Sequence, residues 1–227
     1  MYEPQVLSRP DYINGDNAET ADYKIGPWVV TLDKFVTDDE ADRLIELGAE
    51  EGYKRSSDVG KVKFDGSFEE NFNDGRTSLN AWCQHACYND TAAKQVISRI
   101  EEITHIPETN SEYLQLLKYD VGQYYRRHHD FIDFGNDRQP GVRLLTVFLY
   151  LNDVEAGGGT NFPILNITVM PKRGRVLIWP SVLDSQPNRK DRRTDHQALP
   201  VEKGIKYGAN AWLHQRDFKT PNRIGCH

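Results

Sequence analysis

The chain has 227 residues, of which 38% are hydrophobic and 27% charged, and a formal net charge of −6. That length buries a real core in one large β-rich or mixed domain, and the acidic balance argues against nucleic acid as a partner, because phosphate binding needs a basic face. No apolar run approaches the length of a membrane span, and the first 25 residues lack the apolar core of a signal peptide.

Residues 1–24 read as a polar, poorly packed arm. A first strand is expected over residues 28–32. Thr37-Asp38-Asp39-Glu40 has the spacing of a capping box and opens a helix with Ala41, Leu44, Ile45 and Leu47 on one side. Residues 54–77, rich in Gly, Ser, Asp and Asn, read as a long mobile loop of the kind that forms lids. Cys83 and Cys87 lie four apart and Cys226 near the end, which is neither a disulfide framework nor a zinc site. The pair bonds readily in a loop, and on one helix only with distortion. Asn89 and Asn166 each begin an Asn-x-Thr sequon. A second helix is expected from about 91 to 104, with Val96, Ile97, Ile100 and Ile103 on one side.

From residue 113 the character turns to short β-rich segments, at 113–119, 143–151, 167–170, 175–179, 195–199 and 207–215, with no helix among them. Two helices followed by many short strands predict a mainly β (α+β) fold, a jelly roll with flanking helices. The expected organisation is an arm at 1–24, one domain at 25–220 and a tail at 221–227. Gly157-Gly158-Gly159 and Pro171-Lys172-Arg173-Gly174 read as turns, Trp179 as core, and His85 and His214 as ordinary polar residues.

The chemistry is carried by His128-His129-Asp130, by His196 66 residues further on, and by Lys206 ten residues beyond that. In an extended strand, side chains at i and i+2 share a face, so His128 and Asp130 point together and His129 points away. With His196 they make two imidazoles and one carboxylate, the facial set of non-haem Fe(II) oxygenases. Asp195 is expected to face the other side of its strand. A lysine buried in a barrel needs an anionic partner. A dicarboxylate that chelates iron at one end leaves its other carboxylate for Lys206, with the Tyr119 and Thr160 hydroxyls beside it.

These residues sit in a longer pattern. It runs through Tyr119-Asp120-Val121-Gly122-Gln123, Tyr125, His128-His129-Asp130, Arg143, Thr146 and Tyr150-Leu151-Asn152-Asp153-Val154. It continues through Gly158-Gly159-Thr160-Asn161-Phe162-Pro163, Pro171-Lys172-Arg173-Gly174, His196, Pro200-Val201, Gly204, Lys206 and Trp212. In these stretches the chain resembles the 2-oxoglutarate and Fe(II)-dependent dioxygenases of the prolyl 4-hydroxylase type. The resemblance implies a double-stranded β-helix (cupin-like jelly roll). It implies iron on His128, Asp130 and His196, and 2-oxoglutarate on Lys206, Tyr119 and Thr160. It implies that Tyr125, Arg143 and Trp212 place a substrate peptide. The implied reaction is that of a procollagen-proline 4-dioxygenase: O₂ is consumed, proline gains a hydroxyl, succinate and CO₂ leave, and ascorbate serves as reductant. Lysine at 206, where hypoxia-sensing and lysyl hydroxylases usually have arginine, leans toward the collagen and plant type.

The implied partner is a proline-rich peptide or protein, the expected state a monomer, and the expected location the secretory pathway (endoplasmic reticulum) if the natural chain starts upstream of Met1, otherwise the cytoplasm. Tyr124, Arg126, Arg127, Ile178-Trp179-Pro180-Ser181 and residues 188–193 depart from the animal collagen enzymes, and they are expected on the substrate side. Two alternatives remain open: a hydroxylase of another side chain or a small molecule, and a non-catalytic jelly-roll binding module.

Overall fold

The structure, a computed structural model, describes residues 2–10, 24–62 and 68–223. The parts of the expected arm, lid loop and tail at 11–23, 63–67 and 224–227, Cys226 among them, lie outside the described residues. Two sheets face each other. The large one has nine strands in the order Lys24–Ile25, Glu3–Arg9, Val29–Asp33, Val176–Pro180, Arg143–Tyr150, Lys206–His214, Gln115–Tyr119, Leu79–Trp82 and Lys54–Arg55. The small one has four, in the order Ile167–Val169, Thr160–Phe162, His196–Ala198 and Tyr125–His128. This is the expected jelly roll.

Burial on both faces explains why the central strands are mostly apolar along their length. In Arg143–Tyr150, Val147 and Leu149 pack with Leu116, Ala209 and Ala211 against helix residues Leu44, Leu47, Val96 and Ile100. Phe148 and Tyr150 point the other way, into a second core with Leu117, Leu177 and Trp179 and with Phe162, Ile167 and Val169 of the small sheet. The functional residues lie at one end of this second layer.

The helices fall where expected, at Asp38–Glu51 and Thr91–Thr104. The Glu40 amide donates to the Thr37 hydroxyl at 3.3 Å, and the Thr37 amide to the Glu40 carboxylate at 2.9 Å, closing the capping box. Glu40 also pairs with Arg99, which ties the two helices together. Thr37→Ala is expected to cost about 1 kcal/mol, read as a lowered denaturation midpoint with an unchanged slope.

Several expectations are corrected. The arm contains the strand Glu3–Arg9, which pairs antiparallel with Val29–Asp33 and buries Ser8. The expected loop at 54–77 contains Lys54–Arg55 and a hairpin of Asp58–Val62 with Phe68–Asn71. Short 3-10 turns at Asp133–Asp137 and Arg192–Thr194 interrupt the strand region, and part of residues 188–193 belongs to a hairpin of Val182–Leu183 with Gln186–Lys190. The boundary expected at 220 falls inside the helix Lys219–Arg223, which buries Lys219 and Pro221. Cys83 and Cys87 form a disulfide with Cα atoms 5.0 Å apart. Cys83 lies outside the helix His85–Asn89, so the two are not an i,i+4 pair within one helix. Among the described residues, no helix is long and apolar enough to cross a membrane.

Candidate active site

The small sheet pairs His128 directly with His196 across neighbouring antiparallel strands. Asp130 follows just past the end of its strand. The His128 Nε2 is 3.9 Å from one Asp130 oxygen and the His196 Nε2 3.6 Å from the other. The three ligand atoms lie within 4.8 Å of one another.

Each imidazole is keyed by the backbone two residues before it. The Nδ1 of His128 lies 2.8 Å from the Arg126 carbonyl, and that of His196 lies 3.0 Å from the Thr194 carbonyl. A carbonyl only accepts, so both Nδ1 atoms carry the proton and both Nε2 lone pairs are free for a metal. His129 is turned away. The Phe131 amide donates to its Nδ1 at 2.9 Å, so its Nε2 carries the proton and donates to the Asp191 carbonyl at 2.9 Å.

Asp130 is 4% exposed and accepts the Thr146 hydroxyl at 2.5 Å. Burial alone raises its pKa. His196, His128, the Arg143 guanidinium and the Thr146 bond outweigh that and hold the carboxyl at about 2. Burial, helped by the neighbouring His196, pushes His128 well below its ordinary value, toward the neutral form that offers a lone pair. Two neutral-nitrogen donors, one ionised carboxylate and an open side suit a divalent iron with positions to spare.

Lys206 stands directly opposite Tyr119 on adjacent strands of the large sheet. It is 1% exposed. Its ammonium donates to the Gly158 carbonyl at 2.7 Å and lies 5.1, 5.1 and 5.5 Å from the ring centroids of Tyr119, Phe148 and Tyr150. Among the described residues, no carboxylate pairs with it. Burial therefore lowers its pKa, to about 7. Thr160 accepts the Tyr150 hydroxyl at 2.7 Å. Tyr119, Thr160, Asn210 and Lys206 line one pocket with His128 and His196.

A second cavity also reaches His128. Tyr125, Arg143 and Trp212 line it together with Asp130, Arg76 and Trp82. The Arg143 guanidinium lies 3.8 Å over the Trp212 ring and donates to Glu112 at 2.6 Å. The His214 Nε2 lies 2.9 Å from the same carboxylate oxygen. His214 is thus more than an ordinary polar residue: it is buried, and it braces the acid that holds Arg143. Sequence reading missed Glu112, Arg76, Tyr150 and Asn210. Tyr150 left one signal, a phenol hydroxyl at the end of a mostly apolar run, which requires a partner when buried.

The chain departs from expectation at three of the residues placed on the substrate side. Arg127 turns outward to pair with Asp195 at 2.8 Å, and the Tyr124 hydroxyl donates to the Asp74 carbonyl at 2.9 Å. Neither these two nor Arg126 lines either cavity. Asp195 does face away from the site, as expected.

The sequence profile of the 2OG-Fe(II) oxygenase superfamily matches residues 114–214, an interval that holds every candidate residue named for iron, co-substrate and peptide. Prolyl 4-hydroxylase 5 of Arabidopsis thaliana is 33% identical over 216 residues, covering 86% of this chain and 70% of its own length. The chain belongs to the prolyl 4-hydroxylase family. The rat prolyl 4-hydroxylase subunit alpha-1 is 35% identical over 153 residues, and the match spans 28% of that subunit. Among solved structures, the 2OG complex of the viral collagen prolyl hydroxylase from Paramecium Bursaria Chlorella virus-1 superposes with a TM-score of 0.63 at 27% identity, covering 83% of this chain and 97% of that one.

In this prolyl 4-hydroxylase relative, two cavities meet at the triad. His128 and Tyr125 line both. One cavity contains the buried Lys206 ammonium, and the other is lined by the rings of Trp82, Tyr125, Phe131 and Trp212.

Proposed function

We propose that the chain is a 2-oxoglutarate- and Fe(II)-dependent dioxygenase that hydroxylates proline at the 4-position in proline-rich peptide segments. One observation carries the reading: a buried lysine that has no acidic partner among the described residues shares a pocket with both imidazoles of a converged His-Asp-His set. In this reading His128, Asp130 and His196 hold the iron. When bound, iron supplies O₂ activation and the oxidative decarboxylation of 2-oxoglutarate to succinate and CO₂, chemistry that no side chain performs.

The chain's own residues bind and orient. Lys206 takes the far carboxylate of 2-oxoglutarate, with the Tyr119 and Thr160 hydroxyls beside it. Trp179 and Phe162, with ring centroids 4.8 and 5.8 Å from His196, exclude water from the inner side. Arg143, already neutralised by Glu112, serves to hold the Trp212 ring flat. Tyr125 and Trp212 then offer the aromatic faces on which polyproline II segments dock. Ascorbate acts from solution as reductant. The Cys83–Cys87 disulfide supports a location in an oxidising compartment such as the secretory pathway.

The test is mass spectrometry of proline-rich peptides after incubation with protein, Fe(II), 2-oxoglutarate and ascorbate. One added oxygen on proline C4, absent with His128→Ala, is the expected result. Succinate formed with no peptide product would overturn the substrate assignment and leave the iron site standing.

A further inference from the structure

Asp58 opens the hairpin of Asp58–Val62 with Phe68–Asn71. One of its oxygens accepts the Tyr125 hydroxyl at 2.6 Å, and the other accepts the Asn73 amide at 2.7 Å. The Tyr125 ring stacks on the His128 imidazole, with centroids 3.6 Å apart and 21° between planes. The Arg76 guanidinium carbon lies 4.6 Å from the same ring centroid, and an Arg76 nitrogen lies 3.8 Å from Asp58. Arg76 is fixed in turn by the Ser57 carbonyl at 2.9 Å and the Gln115 side chain at 3.0 Å. A single hydrogen bond thus joins the hairpin to a ring that rests on a candidate iron ligand.

The placement of this bond matters as much as its length. Asp58 lines the peptide-side cavity and also the polar cleft beside it, which Trp82 shares. Tyr125 lines the peptide-side cavity and also the inner Lys206 pocket. The Asp58–Tyr125 pair therefore touches all three spaces. A phenol donating to a carboxylate makes a short, charge-assisted bond that fixes the direction of the ring.

We propose that Asp58 is a positioning residue: it holds Tyr125 as the wall between the peptide cavity and the co-substrate pocket, and so couples peptide occupancy to 2-oxoglutarate turnover. This rests on the function proposed above for what the two cavities hold. Without Asp58 the Tyr125 ring leaves its single orientation, while Lys206, Tyr119 and Thr160 are untouched. Peptide binding weakens and 2-oxoglutarate binding does not. Part of the turnover then ends without hydroxylation. 2-Oxoglutarate still yields succinate and CO₂, and the second oxygen atom leaves as water, reduced by the two electrons and two protons of ascorbate.

The experiment compares Asp58→Ala, Tyr125→Phe and the double variant, with Asp58→Asn as the conservative rescue. Tyr125→Phe removes the same bond from its other end and keeps the ring, so the question survives if Asp58→Ala folds poorly. Each single variant is expected to raise the peptide KM about tenfold, the loss of one hydrogen bond to a charged group. Succinate per hydroxyproline rises several-fold, and the 2-oxoglutarate KM stays within about twofold. The double variant is no worse than the poorer single one, as expected of two partners in one interaction. Asp58→Asn, which keeps an acceptor oxygen, recovers most of the loss. Peptide affinity without O₂, read from the fluorescence of Trp82 and Trp212, falls by the same factor as KM rises. Additive effects in the double variant, or an unchanged succinate ratio and peptide affinity, would overturn the proposal. If the wild-type protein hydroxylates no proline peptide, the functional reading fails by itself. Asp58 is then judged by ¹⁹F NMR of fluorotyrosine-labelled protein, where the Tyr125 line, assigned by its loss in Tyr125→Phe, shifts in Asp58→Ala if the inference holds and stays in place if it does not.

Discussion

Lys206→Met will abolish saturable 2-oxoglutarate binding and at the same time raise the melting temperature of the unliganded protein. The two effects share one cause. The ammonium is enclosed by three aromatic rings and one carbonyl, and no acid among the described residues offsets its charge. Desolvation lowers its pKa from 10.5 to about 7. Unfolded, the lysine keeps its proton up to its ordinary pKa; folded, it loses it above about 7. The unfolded state therefore binds more protons across that window, and the stability of the unliganded protein rises with pH between about 7 and 10.5. At neutral pH the buried charge costs a few kcal/mol, on the scale of about 1.4 kcal/mol per unit of pKa. Methionine fills the same space and removes that cost.

The ligand reverses the sign. A carboxylate beside the ammonium favours the charged form, so 2-oxoglutarate binds with proton uptake above pH 7. Its affinity for the wild type is flat below about pH 7 and falls up to about tenfold per pH unit above it. Removing the lysine leaves the dicarboxylate unpaired in a buried site, a loss of about 3–5 kcal/mol, or at least about a hundredfold in affinity. Thermal melts at pH 7 and pH 9, with and without 2-oxoglutarate, read all of these effects. A variant that melts lower than wild type and is still stabilised by the ligand would sink the account.

Asp130→Ala is expected to eliminate iron binding and all measurable turnover. Asp130 supplies the single negative charge of the three-donor set and lies within 3.9 Å of both imidazole nitrogens. Thr146→Val tests the layer behind it, because it removes the hydroxyl that donates to Asp130 at 2.5 Å and leaves all three donors in place. Loss of such an outer partner costs about 10–100-fold in metal affinity. Iron retained after anaerobic gel filtration should therefore fall in steps, from wild type through Thr146→Val to none in Asp130→Ala. Equal retention in all three proteins would show that the metal sits elsewhere.

The converged His-Asp-His group was legible because strand alternation places i and i+2 together, and Lys206 because it follows His196 by ten residues in a strand-rich region. His128 and Asp130 share a face by period alone, and His129 is excluded by the same rule. The helices were legible for a similar reason, a capping box and a periodic stripe. The residues that escaped depend on contacts across long sequence separations. Glu112 meets Arg143 and His214 without any pattern that pairs them. Asp58 lies in a segment whose polar composition reads as loop, yet it forms a hairpin whose half-buried partner, Tyr125, comes from another sheet. Glu3–Arg9 carries only Val6 and Leu7 as large apolar residues, and it becomes a strand because Val29–Asp33 offers it an edge. Arg126 and Arg127 were assigned to the wrong side because neighbours in sequence were taken for neighbours in space.

Both imidazoles are held by carbonyls two residues behind them, Arg126 on the same strand as His128 and Thr194 at the end of the 3-10 turn that leads into His196, and that has a consequence for how the site is filled. Nothing in this bracing passes through the ion. The nitrogens face the same point whether or not anything occupies it, unlike a zinc finger, where the ion assembles its own ligands. Chelation should thus empty the site without melting the domain, and refilling should need no refolding. The same rigidity makes the site an open competition. A ready-made pair of imidazoles and a carboxylate binds several divalent ions, in the order that nitrogen and oxygen donors impose. Which ion it carries in the cell is then decided by supply, and an abundant competitor such as zinc would act as an inhibitor without touching either cavity wall.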